Sequence, residues 1–576
     1  MPLALRRWLP IALIALVALW LRTRDLAARP MHSDEANQAV KFGQLLETGH
    51  YAFDPRDHHG PTLYYAALPI AWLRGQHTLA SLDETTVRLV PALFGTAAIV
   101  LIFLLALPLG GATPSSRIQA PSDSSVGLRP ASRPSETAAA GSVAPPIAPE
   151  TQAQNPKLKT QNQTYLALAA AAFLAVSPPA VYYGRYFIQE TLLVTFILAT
   201  FACAQRWWRT GHLAWAIAAG LCIGLAESTK ITAPLFLVAG VVALLAARPL
   251  PAPASPGILR AAVAATIGAL ITAALLYSSF GTHFAGVRDA FTAVVYGLHR
   301  AGGGETGHEK PWWYYLRLFG GHREGGLLFQ QIAFTLLALA GAALAFVSLK
   351  SRRVPSNCHT LYDNGSGASG RDPAPSPASS ERAWASPSSS LRWAFLRWAT
   401  VYTLIIAAVL SLTPYKTPWH AIHLVPGLAL LAAGALAALP KLWLSLPVAA
   451  VALAFQVRQT DLVTILRPAD PRNPYAYVHS SPDVLKFRAR ADAALARNPG
   501  AVIRVISAEY WPLPWYFRGL SRVGYWTTPP ADCDGALVIT SAALAPAVRA
   551  RLHGDYRETY LGLRPGFLCV VFTPRS

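Results

Sequence analysis

The residues with the clearest chemical potential are two adjacent carboxylates, Asp34 and Glu35, in the stretch "RPMHSDEANQAV" that begins at Arg29. They lie in a polar loop, residues 23–87, which follows the first hydrophobic segment. The region 25–84 holds eight of the 29 acidic residues in about a tenth of the chain, although the net charge of the protein is +20. This concentration of negative charge favours a functional site over a loop that is simply solvated.

Basic and other polar side chains at the ends of later hydrophobic segments are predicted to reach the same side as this loop. The cations are Arg88, Arg185, Lys230 and Lys416, and the predicted pocket residues are His58, His59, Glu190, Tyr415 and His420. Each has a plainer interpretation: Arg and Lys at the ends of spans commonly extend toward lipid headgroups, and Glu190 could simply pair with Arg185. His58 and His59 are also compatible with ordinary hydrogen-bonded loop residues. The grouping on one side favours a site.

The chemistry that needs such a grouping is glycosyl transfer from a lipid-linked phosphate sugar. Cations stabilise the negative charge that grows on the leaving phosphate. A carboxylate on the covering loop takes the proton of the acceptor hydroxyl. No nucleotide is needed, and the sequence contains neither a P-loop nor a Rossmann glycine fingerprint.

Composition identifies the elements that must position these residues as membrane helices. Hydrophobic residues make up 53% of the 576 residues and charged residues 14%, against about 25% charged in ordinary soluble domains. A span needs about 20 apolar residues. Eleven spans are predicted, with a shorter interfacial helix at 61–75: 8–22, 88–110, 163–181, 187–205, 212–227, 231–247, 258–279, 327–349, 392–413, 418–438 and 440–457.

The distribution of basic residues predicts the orientation. Arg and Lys concentrate in alternate loops, which places the N-terminus in the cytoplasm and loop 23–87 outside; Arg22 and Arg24 count against this choice. The first segment lacks a small-x-small cleavage site, so we interpret it as an uncleaved helix. The sequence therefore predicts a multi-pass protein of the inner (plasma) membrane, and nothing in it resembles a nucleic-acid-binding motif.

The remaining regions are two linkers and a terminal domain. Segments of about 111–162 and 351–391 are rich in Pro, Ser, Ala and Gly, which predicts disordered cytoplasmic linkers. From 458 to 576 short β-type runs such as "AVIRVIS" and "GALVITS" alternate with helical patterns, which predicts a soluble extracytoplasmic α/β domain after a membrane domain of 1–457. Pairing of Cys533 with Cys569 stays open.

The motifs resemble those of a known superfamily. "MHSDEA", "DHHGPTLYY", "VRLVPALFG", "SPPAVYYGRYFIQETLL" and "GLAESTKITAPL" resemble, in order, segments of GT-C glycosyltransferases of the protein O-mannosyltransferase and aminoarabinose transferase type. "PYKTPWH", "NPYAYVHSSPD" and "WPLPWYFRG" resemble a branch described as flippase-activity-associated or as putative glycosyltransferases. The resemblance implies a GT-C fold of about eleven transmembrane helices and a polyprenyl-phosphate sugar as donor.

Residue roles follow from the resemblance alone. It implies Asp34 as the catalytic base, with Glu35 supporting it or helping to bind a divalent cation. It implies donor-phosphate contacts for the four cations, Arg88, Arg185, Lys230 and Lys416. "HHGP" replaces the usual "HPP" or "KPP", so a phosphate-binding Lys is missing there and His59 is a partial substitute. Metal dependence stays open, with Asp34, Glu35 and His59 as candidate ligands.

Two other functions compete with a transferase. A lipid-sugar flippase would place charges deep within spans and often shows repeated halves, and neither is seen here. A non-catalytic scaffold that presents the outer domain would leave the acidic loop without a role. The sequence does not identify the sugar, the acceptor (protein, lipid or glycan) or whether the reaction inverts or retains configuration.

Overall fold

The protein is a helical bundle followed by a small mixed sheet. The computed structural model describes residues 3–56, 59–107, 156–247, 257–302, 307–350 and 387–575. The helices are α1 (Leu3–Thr23), α2 (Ser33–Thr48), α3 (Thr62–Leu73), α4 (Glu84–Ala106), α5 (Pro156–Val176), α6 (Pro178–Tyr183), α7 (Glu190–Thr210), α8 (Leu213–Glu227), α9 (Ala233–Ala246), α10 (Ile258–Tyr277), α11 (Ala285–Ala301), α12 (Tyr314–Gly320), α13 (Ile332–Lys350), α14 (Pro387–Leu412), α15 (Val425–Ala438), α16 (Leu442–Asp461), α17 (Val484–Arg497), α18 (Leu513–Tyr516) and α19 (Ala545–Arg549). The strands are β1 (His322–Glu324), β2 (Leu327–Phe329), β3 (Ile503–Ile506), β4 (Val523–Trp526), β5 (Leu537–Ser541), β6 (Tyr556–Arg564) and β7 (Phe567–Pro574).

Apolar helices occupy the position of every predicted span, as a multi-pass membrane protein requires. Within the described ranges, six helical stretches are long and apolar enough to cross a membrane by length and composition: 84–106, 190–210, 258–277, 391–412, 418–438 and 442–466. Five of the predicted spans correspond to shorter apolar helices. The total of eleven crossings therefore stays a prediction.

Several predicted spans have different limits in the structure. The eighth starts at Ile332 rather than at 327, because Leu327–Phe329 form strand β2. The third does not run to 181, because α5 ends at Val176 and Ser177 starts the separate helix α6. Pro178 and Pro179 explain this break, since a proline has no N–H to continue a helix and restricts the residue before it. The tenth begins as a 3-10 helix, Pro418–His423, before α15.

Small residues let the bundle helices approach closely. Helix α4 packs against α1, α5 and α7, while α15 packs against α5 and α13. A Cβ atom on Gly341 of α13 would lie 1.9 Å from the carbonyl oxygen of Leu431 in α15. Such contacts are typical of membrane helices, whose association depends on close packing rather than on exclusion of water.

The C-terminal sheet has the order β4-β3-β5-β7-β6, with β3 parallel to β4 and β5 and a β6–β7 antiparallel hairpin at one edge. Four of these strands coincide with predicted β-type runs. Edge strand β6 was not predicted, because "YRETYLGLR" mixes charged and apolar residues and only two of its positions are buried. Cys533 and Cys569 are both buried free thiols.

The predicted linkers fall almost entirely outside the described residues. Helices α5 and α14 begin at Pro156 and Pro387, so the predicted linker ends at 156–162 and 387–391 are helical. Helix α16 reaches Asp461 and continues as a π-helical turn to Leu466, beyond the predicted domain start at 458.

Candidate active site

Helix α2 carries both carboxylates, and its first turn is fixed by His32. His32 has extended backbone angles and accepts the Asp34 N–H at Nδ1 (3.1 Å), while Glu35 Oε2 accepts the His32 N–H (3.1 Å). This reciprocal arrangement is a capping box, which satisfies donors that a helix start leaves free. Asp34 projects from this turn with 51% of its side chain exposed, whereas Glu35 is fully buried.

Glu35 is the centre of a buried ion cluster, and its predicted part in supporting Asp34 or in binding a cation stays a prediction. Its carboxylate accepts hydrogen bonds from Arg29 (3.1 Å), Arg88 (2.9 and 3.0 Å) and the N–H groups of Phe187 and His32 (3.1 Å each). Burial alone would raise the pKa of Glu35, but the two guanidinium groups hold it well below its usual range. A carboxylate saturated with donors and kept ionised is a poor proton acceptor.

Arg88 binds the same cluster, and its predicted contact with the donor phosphate stays a prediction. Nε and Nη2 bind Glu35, and the remaining N–H groups donate to the carbonyls of Leu26, Arg29 and Pro30. These bonds use all five donors of a guanidinium group, and the side chain is fully buried. Arg88 therefore ties the start of α4 to the loop that precedes α2.

Arg185 bonds to the backbone around the end of α1. Its guanidinium donates to the carbonyls of Leu21, Arg24 and Asp25, and its own carbonyl accepts from Arg29 (2.8 Å). The residue is buried. These bonds use three of the five guanidinium donors, and the predicted phosphate contact stays a prediction.

Lys230 and Glu190 form the second charged group, and here the predicted residues do come together. Lys230 Nζ lies 2.5 Å from Glu190 Oε1, and both side chains are nearly buried. His59 forms a β-bridge with Lys230, and His420 lies within electrostatic reach of Lys230 and His59. His58 is outside the described residues.

The "HHGP" loop is held against the "ESTK" segment by its backbone. The Gly60 N–H donates to Thr229 O (3.1 Å) and the Thr62 N–H to Ser228 O (3.1 Å). A Cβ atom at position 60 would lie 1.9 Å from Ser228 O. Glycine is therefore required where the reference motif has proline, and the close approach positions His59 beside Lys230.

Lys416 and Tyr415 lie on a third segment, which pairs with residues 308–310. The Lys416 N–H donates to His308 O (3.0 Å), and Lys310 N donates to Pro414 O (3.3 Å). Lys416 Nζ donates to the carbonyls of Lys310 and Thr413, which leaves one of the three ammonium donors for a ligand. Tyr415 packs against His308, with ring centroids 5.0 Å apart.

A wall of aromatic rings connects the Asp34 end to the Lys230 end. The His32 ring lies 6.0 Å from Trp419, and Trp419 lies 6.2 Å from Tyr477. The Tyr477 hydroxyl is hydrogen-bonded to His308 Nδ1 (2.8 Å). Tyr415, which packs against His308, is followed by His420, with ring centroids 6.3 Å apart. Trp419, Tyr477, Tyr415 and His420 are all partly exposed.

Sequence reasoning missed Arg29 and the contributions of the C-terminal segment. Arg29 stacks on Tyr186 (3.5 Å to the ring centroid) and contacts His479 Nε2 (2.9 Å). Tyr477 and His479 belong to "NPYAYVHSSPD", for which no role was predicted. The available signal was a basic residue six positions before Glu35.

The C-terminal region packs directly on the acidic loop. The Met31 N–H donates to the Tyr516 hydroxyl (2.9 Å), Trp515 Nε1 donates to Glu84 (2.7 Å), and Arg518 donates to Leu82 O (2.9 Å). The loop is therefore held both by the Glu35 cluster and by this region.

The candidate metal ligands do not assemble. Within the described part of the chain, the group of side chains that could hold a metal ion is Asp532, Asp534 and His553, within 4.8 Å of one another on the C-terminal domain. Asp34, Glu35 and His59 do not form such a group there, and the lone pairs of Glu35 are already used.

Comparisons with known proteins agree with this architecture. Residues 153–274 match the family model described as dolichyl-phosphate-mannose-protein mannosyltransferase. No curated protein matches the chain.

Three solved structures are similar over nearly the whole chain. ArnT from Cupriavidus metallidurans bound to undecaprenyl phosphate has 14% identity and a TM-score of 0.57, covering 98% of this chain and 97% of its own. Its apo form has 14% identity and a TM-score of 0.54, with 99% and 98% covered. The Archaeoglobus fulgidus oligosaccharyltransferase tethered with an acceptor peptide has 13% identity and a TM-score of 0.50, with 98% and 74% covered. The chain therefore has the fold of the GT-C membrane glycosyltransferases.

Proposed function

We propose that the protein is a membrane glycosyltransferase that moves a sugar from a polyprenyl-phosphate donor to a hydroxyl acceptor. The observation that carries the proposal is the contrast between neighbouring acids. Glu35 is saturated with donors, whereas Asp34 is half exposed in the first turn of α2 and next to His32, whose ring contacts Trp419 of the aromatic wall. This is the placement that a catalytic base needs.

The reaction is a displacement at the anomeric carbon. Asp34 accepts the proton of the acceptor hydroxyl while the hydroxyl oxygen bonds to that carbon, and the bond from the carbon to the phosphate oxygen breaks. Negative charge then grows on the polyprenyl phosphate, where Lys230 and Lys416 stabilise it. Preorganised charge of this kind acts strongly because it needs no rearrangement during the reaction.

The remaining pocket residues hold these groups in place. Glu190 pairs with Lys230 and orients its ammonium group. His59, His420 and Tyr415 line the space around Lys230 and Lys416, where they exclude water and offer hydrogen bonds to the sugar. This reaction needs no contact from Glu35, Arg88 or Arg185.

The donor class is supported by a similar protein. ArnT from Cupriavidus metallidurans was solved bound to undecaprenyl phosphate, and the matched family model is that of a dolichyl-phosphate-mannose-dependent enzyme. For this chain we infer a polyprenyl phosphate carrying a hexose or pentose. The acceptor is a protein, lipid or glycan of the cell envelope.

The basic inner loops support an orientation with the N-terminus in the cytoplasm. The site and the C-terminal α/β domain, 458–576, then face the outside of the inner (plasma) membrane. Acceptor and donor meet there, since the lipid phosphate lies at the membrane surface.

The test uses purified full-length protein in liposomes with a radiolabelled polyprenyl-phosphate sugar and detergent extracts of envelope acceptors. We expect label in the acceptor fraction and release of polyprenyl phosphate. Asp34→Asn abolishes both, whereas Asp54→Asn, the same change at an exposed acid of the same loop, does not.

Other outcomes overturn the proposal. Movement of intact lipid-linked sugar between leaflets without transfer would identify a flippase. Absence of both activities with any donor, in protein that remains folded, would favour a scaffold that presents the C-terminal domain.

A further inference from the structure

We propose that His32 is a positioning residue for Asp34, and that the backbone of Tyr477 in the C-terminal segment fixes the tautomer in which it works. This inference rests on the proposed role of Asp34 as the base. It assigns to the segment after the last membrane helix a part in the reaction that its position alone does not reveal.

The two ring nitrogens of His32 have opposite partners. Nδ1 lies 3.1 Å from the backbone nitrogen of Asp34, which is a donor, so Nδ1 must be an acceptor. Nε2 lies 3.1 Å from the carbonyl oxygen of Tyr477, which accepts, so Nε2 must carry the hydrogen. One neutral tautomer satisfies both bonds, and the other satisfies neither.

The ring is also immobilised by its surroundings. His32 is 5% exposed. Tyr186 and Trp419 each lie 6.0 Å from it and His479 lies 5.7 Å away, all as ring-centroid distances. Its backbone N–H is held by Glu35 Oε2.

The charged groups beside the ring form one cluster. Arg29, which reaches His479 Nε2, shares the single negative charge of Glu35 with Arg88. Burial and the charge of Arg29 hold the pKa of His479 well below its usual range, so this neighbour stays neutral and accepts from Arg29. The Oδ2 atom of Asp34 lies 3.9 Å from His32 Nδ1.

Through these two bonds His32 connects the start of α2 to the C-terminal segment. It fixes the peptide N–H of Asp34, and thereby the direction in which the half-exposed carboxylate leaves the helix. In the C-terminal segment the bonded residue is Tyr477. Its hydroxyl binds His308, next to the Lys310–Lys416 contact. Small displacements of a base from its substrate hydroxyl are costly, since about 1 Å of misplacement can lower a rate about 100-fold.

Three substitutions separate the two bonds. In His32→Asn the side-chain oxygen can take the place of Nδ1 and keep the cap, but the side chain is too short for Tyr477. In His32→Gln the amide nitrogen can take the place of Nε2 and keep the Tyr477 bond, but the cap is lost. His32→Ala loses both, and His77→Ala removes an exposed histidine of the same loop as the matched control.

We expect the kcat of His32→Ala for sugar transfer to fall about 10- to 100-fold, with donor KM within about threefold of the unchanged protein. The kcat values of His32→Asn and His32→Gln should lie between those of His32→Ala and the unchanged protein. The kcat of His77→Ala should match that of the unchanged protein. Thermal unfolding in the same detergent tells positioning from a purely structural role, which would lower the melting temperature but leave the kcat of the folded fraction unchanged.

Three outcomes overturn the inference. A kcat for His32→Ala within about twofold of the unchanged protein refutes positioning. A large rise in donor KM with constant kcat would make His32 a substrate contact instead. A fully active His32→Ala beside an inactive Asp34→Asn would refute only the positioning role of His32. An active Asp34→Asn would also refute the proposed role of Asp34 as the base.

Discussion

Replacement of Glu35 by glutamine should destabilise the protein severely, although it removes only a charge. The carboxylate receives hydrogen bonds from Arg29, Arg88, Phe187 and His32 and is fully buried. A glutamine has a single acceptor oxygen, and its amide N–H groups would point at donors. Arg29 and Arg88 would then be buried without a counter-ion, a change that typically costs about 3–5 kcal/mol.

The assay is thermal or chemical unfolding of the purified variant in the detergent used for the unchanged protein. We expect Glu35→Gln to give little monodisperse protein and a clearly lower midpoint. Asp34→Asn, a change of the same kind one residue earlier, should leave the midpoint unchanged, because that side chain is half exposed. A Glu35→Gln variant with normal stability and no activity would refute the assignment of Glu35 to structure.

The pH dependence of this difference has a defined sign. The pKa of Glu35 is lowered in the folded protein, so its contribution is fully present above the unfolded-state pKa of about 4.3. That contribution is lost as the pH falls toward the folded-state pKa. The stability gap between the unchanged protein and Glu35→Gln should therefore be constant near pH 7 and narrow below about pH 4.

Two further predictions concern the Lys230 end of the site. Gly60→Ala should raise the donor KM and lower stability. The added Cβ cannot fit 1.9 Å from Ser228 O, so the loop must separate from Thr229. An unchanged donor KM would show that the loop does not position Lys230. The double variant Lys230→Met, Glu190→Gln should fold normally, because it leaves no unpaired buried charge. Its donor KM should rise about 10- to 100-fold, because one charge-assisted hydrogen bond is lost. Measured donor affinity equal to that of the unchanged protein would exclude Lys230 from the phosphate site.

The positions of the membrane helices could be predicted from sequence because long apolar runs are a strong signal. Their ends could not, because local chemistry decides them. The Pro178–Pro179 pair ends one helix and starts another inside a single apolar run. Strand β6 was missed since an edge strand with solvent on one side carries charges that hide its pattern.

The candidate site was predicted in part. The loop with Asp34 and the charged residues Lys230 and Glu190 were singled out, because unusual charges near a membrane are visible in sequence. The pairing of Glu190 with Lys230 was not predicted, since the plainer interpretation paired Glu190 with Arg185. The different roles of Asp34 and Glu35 were not predicted either, since adjacent helical residues point about 100° apart and only tertiary packing decides which is buried. The same holds for Arg88, three of whose five bonds go to backbone carbonyls that no sequence pattern displays.

The role of Asp34 as the base that takes the acceptor proton can be measured by single-turnover transfer with Asp34→Asn at saturating donor. General-base catalysis contributes about 100- to 10,000-fold, so the variant should be slower by at least 100-fold while its donor affinity and melting temperature match those of Asp54→Asn. A rate within about threefold of the unchanged protein would show that Asp34 does not take the acceptor proton.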